Sequence, residues 1–186
     1  MFMMPPMPDE WNDWDDWEKG ERRVAALPDD ALSTEALSRP RAAPQPGQIL
    51  ARGVCRHLLG HGFVTVEEFV PASGLRVDVM ALGPKGELWV IECKSSRADF
   101  TSDRKWQGYL DYCDRYFWAV DDDFPRELLP EETGVIIADG YDAEIVTMAP
   151  EAKLSGARRK VMLQKFARHA ALRWHKARDP AITLSS

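Results

Sequence analysis

Cysteine is scarce in this sequence. Its 186 residues hold three, Cys55, Cys93 and Cys113. An odd and sparse set excludes a disulfide scaffold and suits a reducing cytoplasm. None of them forms a CxxC pair or a Cys/His cluster with zinc spacing, so a structural zinc is not expected. Long apolar runs are also missing; no stretch approaches the roughly 20 residues that cross a bilayer. The opening residues, MFMMPPMPDEWNDW, have neither the basic nor the apolar region of a secretory signal. These absences point to a cytoplasmic protein without a membrane partner. There is no internal repeat, and the four histidines read as ordinary surface or packing residues.

Charge is unevenly distributed along the chain. Residues 153–178 hold nine basic side chains and no acid, whereas residues 1–47 hold ten acidic and five basic ones. The formal net charge of −6 therefore hides a local electrostatic footprint suited to phosphate. Residues 1–47 are rich in Pro, Asp, Glu and Ala and show little periodicity, so they read as a disordered acidic tail. Within them Trp11, Trp14 and Trp17 are spaced three apart among carboxylates. That spacing lines one side of a short helix, which suits folding onto a protein partner with a basic apolar groove. A solvated tail is the plainer reading.

The folded part, residues 48–180, opens on a helix over Gln48–Gly62. Its apolar positions Ile49, Leu50, Val54, Leu58 and Leu59 recur at helical period, and Gly60 and Gly62 end it. Strands are predicted over Val64–Val70, Leu75–Leu82 and Glu87–Lys94, the last two joined by a turn at Gly83-Pro-Lys-Gly86. A helix from Ser102 to Arg115 follows. Strands over Tyr116–Val120, Gly134–Ala138 and Tyr141–Thr147 come next, then a long helix over Gly156–Arg178. This order gives an α/β fold, a central mixed sheet with helices on both sides.

The stretch RVDVMALGPKGELWVIECK carries the chemistry. A turn centred on Pro84-Lys85 pairs residues whose numbers add to about 170, which sets Asp78 opposite Glu92 and Arg76 opposite Lys94. Directly opposed side chains have Cβ atoms about 4.5–5.5 Å apart. Glu92 and Lys94 share a face and Asp78 joins them, leaving Val77, Val79, Ala81, Trp89, Ile91 and Cys93 for a core on the other face. A one-residue slip would undo this arrangement. Two carboxylates facing each other on central strands repel and lose hydration. A hard cation such as Mg²⁺ (or Mn²⁺) relieves both costs and activates water toward a phosphodiester, with an adjacent lysine stabilising developing negative charge.

Asp78 followed by Glu92-Cys93-Lys94 on a hairpin, after one helix and before another, resembles the PD-(D/E)xK nuclease superfamily. Val77 stands where many members have proline. The run IECKSSRADFTSDRKWQGYLDYCDRYFWAV is similar to the MmcB-type DNA-repair endonucleases of bacteria, and the likeness extends from about Gly47 to Arg178. The resemblance implies a restriction-endonuclease-like core, a role in DNA repair, Asp78 and Glu92 as metal ligands, and catalysis by these two with Lys94 and Gln107. Gln107 follows because superfamily members often place a glutamine on the helix after ExK; a surface glutamine is the alternative. An upstream acid is common on the first helix of the superfamily, but here that helix has none, and Glu67 or Glu68 are the substitutes on offer. Arg97, Arg104 and Lys105 surround the exit of the ExK strand and suit phosphate contacts, or surface pairing with Asp99 or Asp103. Arg158, Arg159, Lys160 and Lys165 give the last helix a basic side suited to DNA. A non-cutting DNA-binding or adaptor module on the same fold is the competing reading.

Overall fold

The computed structural model describes residues 43–102 and 105–181. Expectations for the Trp-rich segment and for Arg104 lie outside the described residues. Helix α1 (Pro46–Gly60) leads into strands β1 (Val64–Phe69), β2 (Val77–Leu82) and β3 (Leu88–Lys94). A short helix α2 (Arg97–Ser102) and a 3-10 helix (Trp106–Tyr112) precede β4 (Arg115–Val120). Strands β5 (Gly134–Ala138) and β6 (Ala143–Thr147) and the long helix α3 (Gly156–Arg178) complete the order. The six strands form one sheet in sequence order. Pairs β1–β2, β2–β3 and β5–β6 are antiparallel, and β3–β4 and β4–β5 are parallel. The fold is thus α/β with an open mixed sheet between helices, consistent with a restriction-endonuclease-like core. Among the described residues no helix is long and apolar enough to cross a membrane.

Helix α1 begins where Pro46, which has no N–H to lose, meets a cap in which Gln48 Oε1 accepts from the Gln45 N–H at 3.0 Å. It buries Leu50, Ala51, Val54 and Leu58 on the sheet. Gly53 is required there, because a Cβ would collide with the carbonyl oxygens of Asp139 and Asp142 in the β5–β6 turn. The β2–β3 hairpin closes through Gly86 N–H to the Gly83 carbonyl (3.0 Å) and Gly83 N–H to the Glu87 carbonyl (2.8 Å). It pairs Leu82 with Leu88, Ala81 with Trp89, Met80 with Val90 and Val79 with Ile91. Each pair adds to 170, as the turn chemistry predicts.

The sheet separates two apolar layers. Under α1 lie Val79, Ala81, Trp89, Ile91, Cys93, Phe117, Ala119 and Ile136. On the other side Met80, Leu88, Val90, Tyr116, Trp118 and Val120 meet Tyr109, Met162 and Phe166. Val77 departs from its expected face and packs in this second layer with its β1 partner Phe69. Beside it the backbone of β1 is kinked: Glu68 sits at φ 55, the one positive φ of a non-glycine among the described residues. Within the predicted helix over Ser102–Arg115 the described residues form a 3-10 helix over Trp106–Tyr112 instead, and α2 lies ahead of it. Trp106, Tyr109 and Tyr112 are three apart, and a three-residue turn stacks them along one side.

Asp114 fastens α3 across the second layer. One carboxylate oxygen accepts from Leu88 N–H at 2.7 Å and the other from Leu154 N–H at 2.9 Å. Arg159 adds a two-pronged pair, both contacts at 2.7 Å, and its guanidinium also donates to the Gly86 carbonyl. Burial alone would raise the Asp114 carboxyl, but the bonds from Arg159, Leu88 and Leu154 outweigh it and hold the group below the ordinary carboxylate range. Met162 and Phe166 then enter the core.

Removing one partner leaves buried donors unmet, so Asp114→Ala should cost about 3 kcal/mol in urea unfolding, the low end for a buried pair because the Arg159 side chain keeps 27% exposure. The sign with pH follows from a lowered carboxyl. The contribution is complete above the ordinary value of about 4 and fades as pH falls through the lower folded value, so wild type and variant should converge in acid.

Candidate metal and nucleic-acid site

The backbone ladder between β2 and β3 stops at Val79–Ile91. At the next pair, side chains take its place. The Asp78 N–H donates to Glu92 Oε1 at 3.2 Å, and the Cys93 N–H donates to Asp78 Oδ2 at 2.8 Å. The two carboxylates thus stand at the point where the strands part, each held by the other strand's backbone. Lys94 Nζ lies 3.8 Å from Glu92 Oε2 and 5.8 Å from the centre of the Trp118 ring. Glu92 and Lys94 are 3% and 7% exposed, while Asp78 is half-buried and opens the cluster to solvent.

Burial pushes the Asp78 carboxyl above its ordinary range; the Cys93 N–H and Lys94 oppose the rise, and Glu68 and Asp99 add to it. The local set is therefore four carboxylates, Asp78, Glu92, Glu68 and Asp99, against two cations, Lys94 and Arg76, which pairs with Glu68 at 2.9 Å. Oxygen donors with excess negative charge are what a hard divalent cation takes. Asp78 Oδ2 is committed to Cys93, which leaves Oδ1 to face such an ion. The thiols have no place in this chemistry. Burial pushes all three up, Cys113 to about 12, so none is a ready thiolate.

The remaining sequence-predicted residues divide. Gln107 is exposed on the 3-10 helix, and Arg97 and Lys105 are exposed beside α2. Lys160 is exposed on α3, whereas Arg159 is held in the fold by Asp114. Arg158 pairs with Asp111 at 3.1 Å and lies over the Tyr112 ring. Lys165 donates to the Pro71 carbonyl at 2.7 Å. Arg168 and Lys176 are further exposed cations of α3. Sequence reasoning passed over three groups near the centre. Asp99 caps nothing recognisable in the sequence, and Arg76 looked like a partner for Lys94. Tyr109 is buried and donates its hydroxyl to the Arg76 carbonyl at 3.0 Å, steadying the chain two residues before Asp78.

Sheet order and cluster together define an α/β protein with a buried acid–lysine centre at a strand fork. The chain belongs to the MmcB-like DNA repair proteins, whose family matches residues 35–181. A role in DNA repair comes with that membership. The chain is also similar to a solved protein of unknown function from Silicibacter pomeroyi, at 72% identity and a TM-score of 0.75, covering 77% of this chain and 99% of that one. No curated protein matches the sequence.

A carboxylate held above its ordinary range is less at ease when ionised in the folded chain than in the unfolded one. Asn at position 78 keeps an acceptor for the Cys93 N–H without the charge. Asp78→Asn should therefore raise stability at pH 7 in EDTA by about 1 kcal/mol or less. Wild-type stability rises as pH falls through the raised Asp78 value, so the gap should narrow in acid; a less stable variant at pH 7 would contradict this account.

Proposed function

We propose that this DNA repair protein is a deoxyribonuclease that hydrolyses phosphodiester bonds with Mg²⁺ or Mn²⁺. The observation that carries the reading is the fork itself: two carboxylates and a lysine converge where the β2–β3 ladder ends, with charge in excess on the acid side. Asp78 and Glu92 are the residues to hold the cation. When bound, it lowers the pKa of a water molecule and offsets phosphate charge. Asp78, the more open acid, presents one oxygen outward while the Cys93 N–H fixes the other. Glu92 lies beside Lys94 and is held by the Asp78 N–H. Lys94, desolvated against Trp118, directs its positive charge at the place where negative charge develops during attack. Gln107, exposed on the 3-10 helix, is available to orient a water or a phosphate oxygen.

DNA reaches the centre by backbone contacts. Arg97 and Lys105 flank the exit of β3, and Lys160, Arg168 and Lys176 supply exposed charge along α3. These are contacts that position a duplex or strand without reading bases. The acidic Trp-rich segment, with Trp11, Trp14 and Trp17, is the candidate for a protein partner, and a cytoplasmic setting suits both. One observation favours a second reading, a module that binds DNA without cutting it: α1 carries no carboxylate along its whole length.

Labelled single-stranded, duplex, flapped and branched DNA, with Mg²⁺, Mn²⁺ or EDTA, separates the two. Metal-dependent cutting that Asp78→Ala and Lys94→Ala each reduce by at least about a hundredfold is expected. Binding without cutting, indifferent to both substitutions, would leave the binding module. In the same assay, neutralising Lys160 and Arg168 together should weaken DNA binding uniformly across sequences and lower the salt dependence by about one unit per lost phosphate contact.

A further inference from the structure

The kink in β1 turns one of two adjacent glutamates toward the acid–lysine centre and the other away. Glu67 pairs with Val79 in the ladder, and Phe69 pairs with Val77, so Glu68 stands opposite Asp78. Glu67 belongs to the edge: Arg173 of α3 donates to its carbonyl at 2.7 Å and approaches its carboxylate at 3.6 Å. Its charge is felt at Cys55, on α1. Glu68 acts instead on Asp78, where it opposes ionisation of the neighbouring acid.

Glu68 holds this position in a left-handed backbone conformation, at φ 55. A glutamate rarely adopts it, and such outliers persist where the surroundings enforce them, commonly at working sites. Both flanking pairs, Glu67–Val79 and Phe69–Val77, retain register across the kink, so the conformation redirects residue 68 without shifting the strand. Arg76 lies on the far side of Asp78 along β2 and takes the Glu68 carboxylate at 2.9 Å. Both side chains of that pair are open to solvent, Glu68 at 45% and Arg76 at 67%. An exposed ion pair of this kind is weak and readily exchanged. The Asp78 and Tyr109 contacts fix the Arg76 backbone while leaving its guanidinium free to leave.

Resting on the metal-site reading above, we propose that Glu68 is the third carboxylate of the centre, supplying from β1 the oxygen that α1 lacks, with Arg76 as the partner that competes with the cation for it. A divalent ion at Asp78 draws Glu68 off Arg76, and the guanidinium then faces solvent beside the centre. Arg76 in this account tunes the affinity of the site; it does not ligate.

Mn²⁺ binding to the full chain, followed by the loss of the free-ion electron paramagnetic resonance signal, tests this without reference to cutting. Asp78→Asn should abolish binding. Glu68→Gln should weaken it by about tenfold, the order expected for a substitution that disturbs a metal site. Glu67→Gln should leave it unchanged, and Arg76→Met should tighten it severalfold. Glu68→Gly serves as the folding control, since glycine takes the left-handed conformation without steric cost. It should match or exceed wild-type thermal stability and still bind Mn²⁺ as weakly as Glu68→Gln. Binding lost in Asp78→Asn but equal to wild type in Glu68→Gln and Glu68→Gly would overturn the role of Glu68 and leave the metal site standing. Wild-type protein that takes up no Mn²⁺ would overturn both.

Discussion

The register between β2 and β3 governs the chemistry of this chain. Side chains alternate from face to face along a strand, so a slip of one residue would send Asp78 into one layer and Glu92 into the other. Two things pin the pairing. At one end the Gly83–Gly86 turn closes with backbone bonds to a fixed number of residues. At the other end the Asp78 and Glu92 carboxylates take the places of ladder carbonyls. The acids thus serve the fold and the site at once, and the layer above them only has to keep water from competing for the backbone.

That layer depends on a distant clamp. Asp114 sits at the start of β4, and Arg159 reaches it from α3 across 45 positions of sequence. Three segments meet there: the first residue of β3, the approach to α3, and α3 itself. With α3 so anchored, Met162 and Phe166 cover Val66, Phe69 and Met80. The cations of the basic helix therefore fall into two sets. Arg158, Arg159, Lys165 and Arg173 bind the protein to itself, and Lys160, Arg168 and Lys176 are exposed on its outer side.

Where local chemistry decides, the sequence was a good guide. The hairpin turn has glycines at both ends, the strands alternate, and α3 has a serine before it and a proline after it. The register, the sheet class and the grouping of Asp78, Glu92 and Lys94 followed from these. What failed to show had its cause elsewhere in the chain. Val77 changes layer beside the point where Glu68 takes a left-handed conformation on the neighbouring strand, and a glutamate gives no hint of that as glycine would. The stretch from Ser102 to Arg115 has enough helix formers to suggest one helix. It takes the 3-10 form over Trp106–Tyr112, where Trp106 and Tyr109 both reach the Tyr116 ring of β4. Arg159 looked like one more phosphate ligand because nothing near it in sequence reveals Asp114.

Strand order carries a consequence for how the chain is made. Each strand lies beside the one translated just before it, so a nascent chain can add them to the growing sheet edge in turn as they leave the ribosome, with short connections between antiparallel strands and longer crossovers from β3 to β4 and from β4 to β5. The face bearing Glu92 and Lys94 is the exception. Part of its cover is α3, the last described element, and until that helix emerges the apolar layer around Val66 and Met80 is left open on one side. The apolar layer on this face is therefore closed only once α3 is in place.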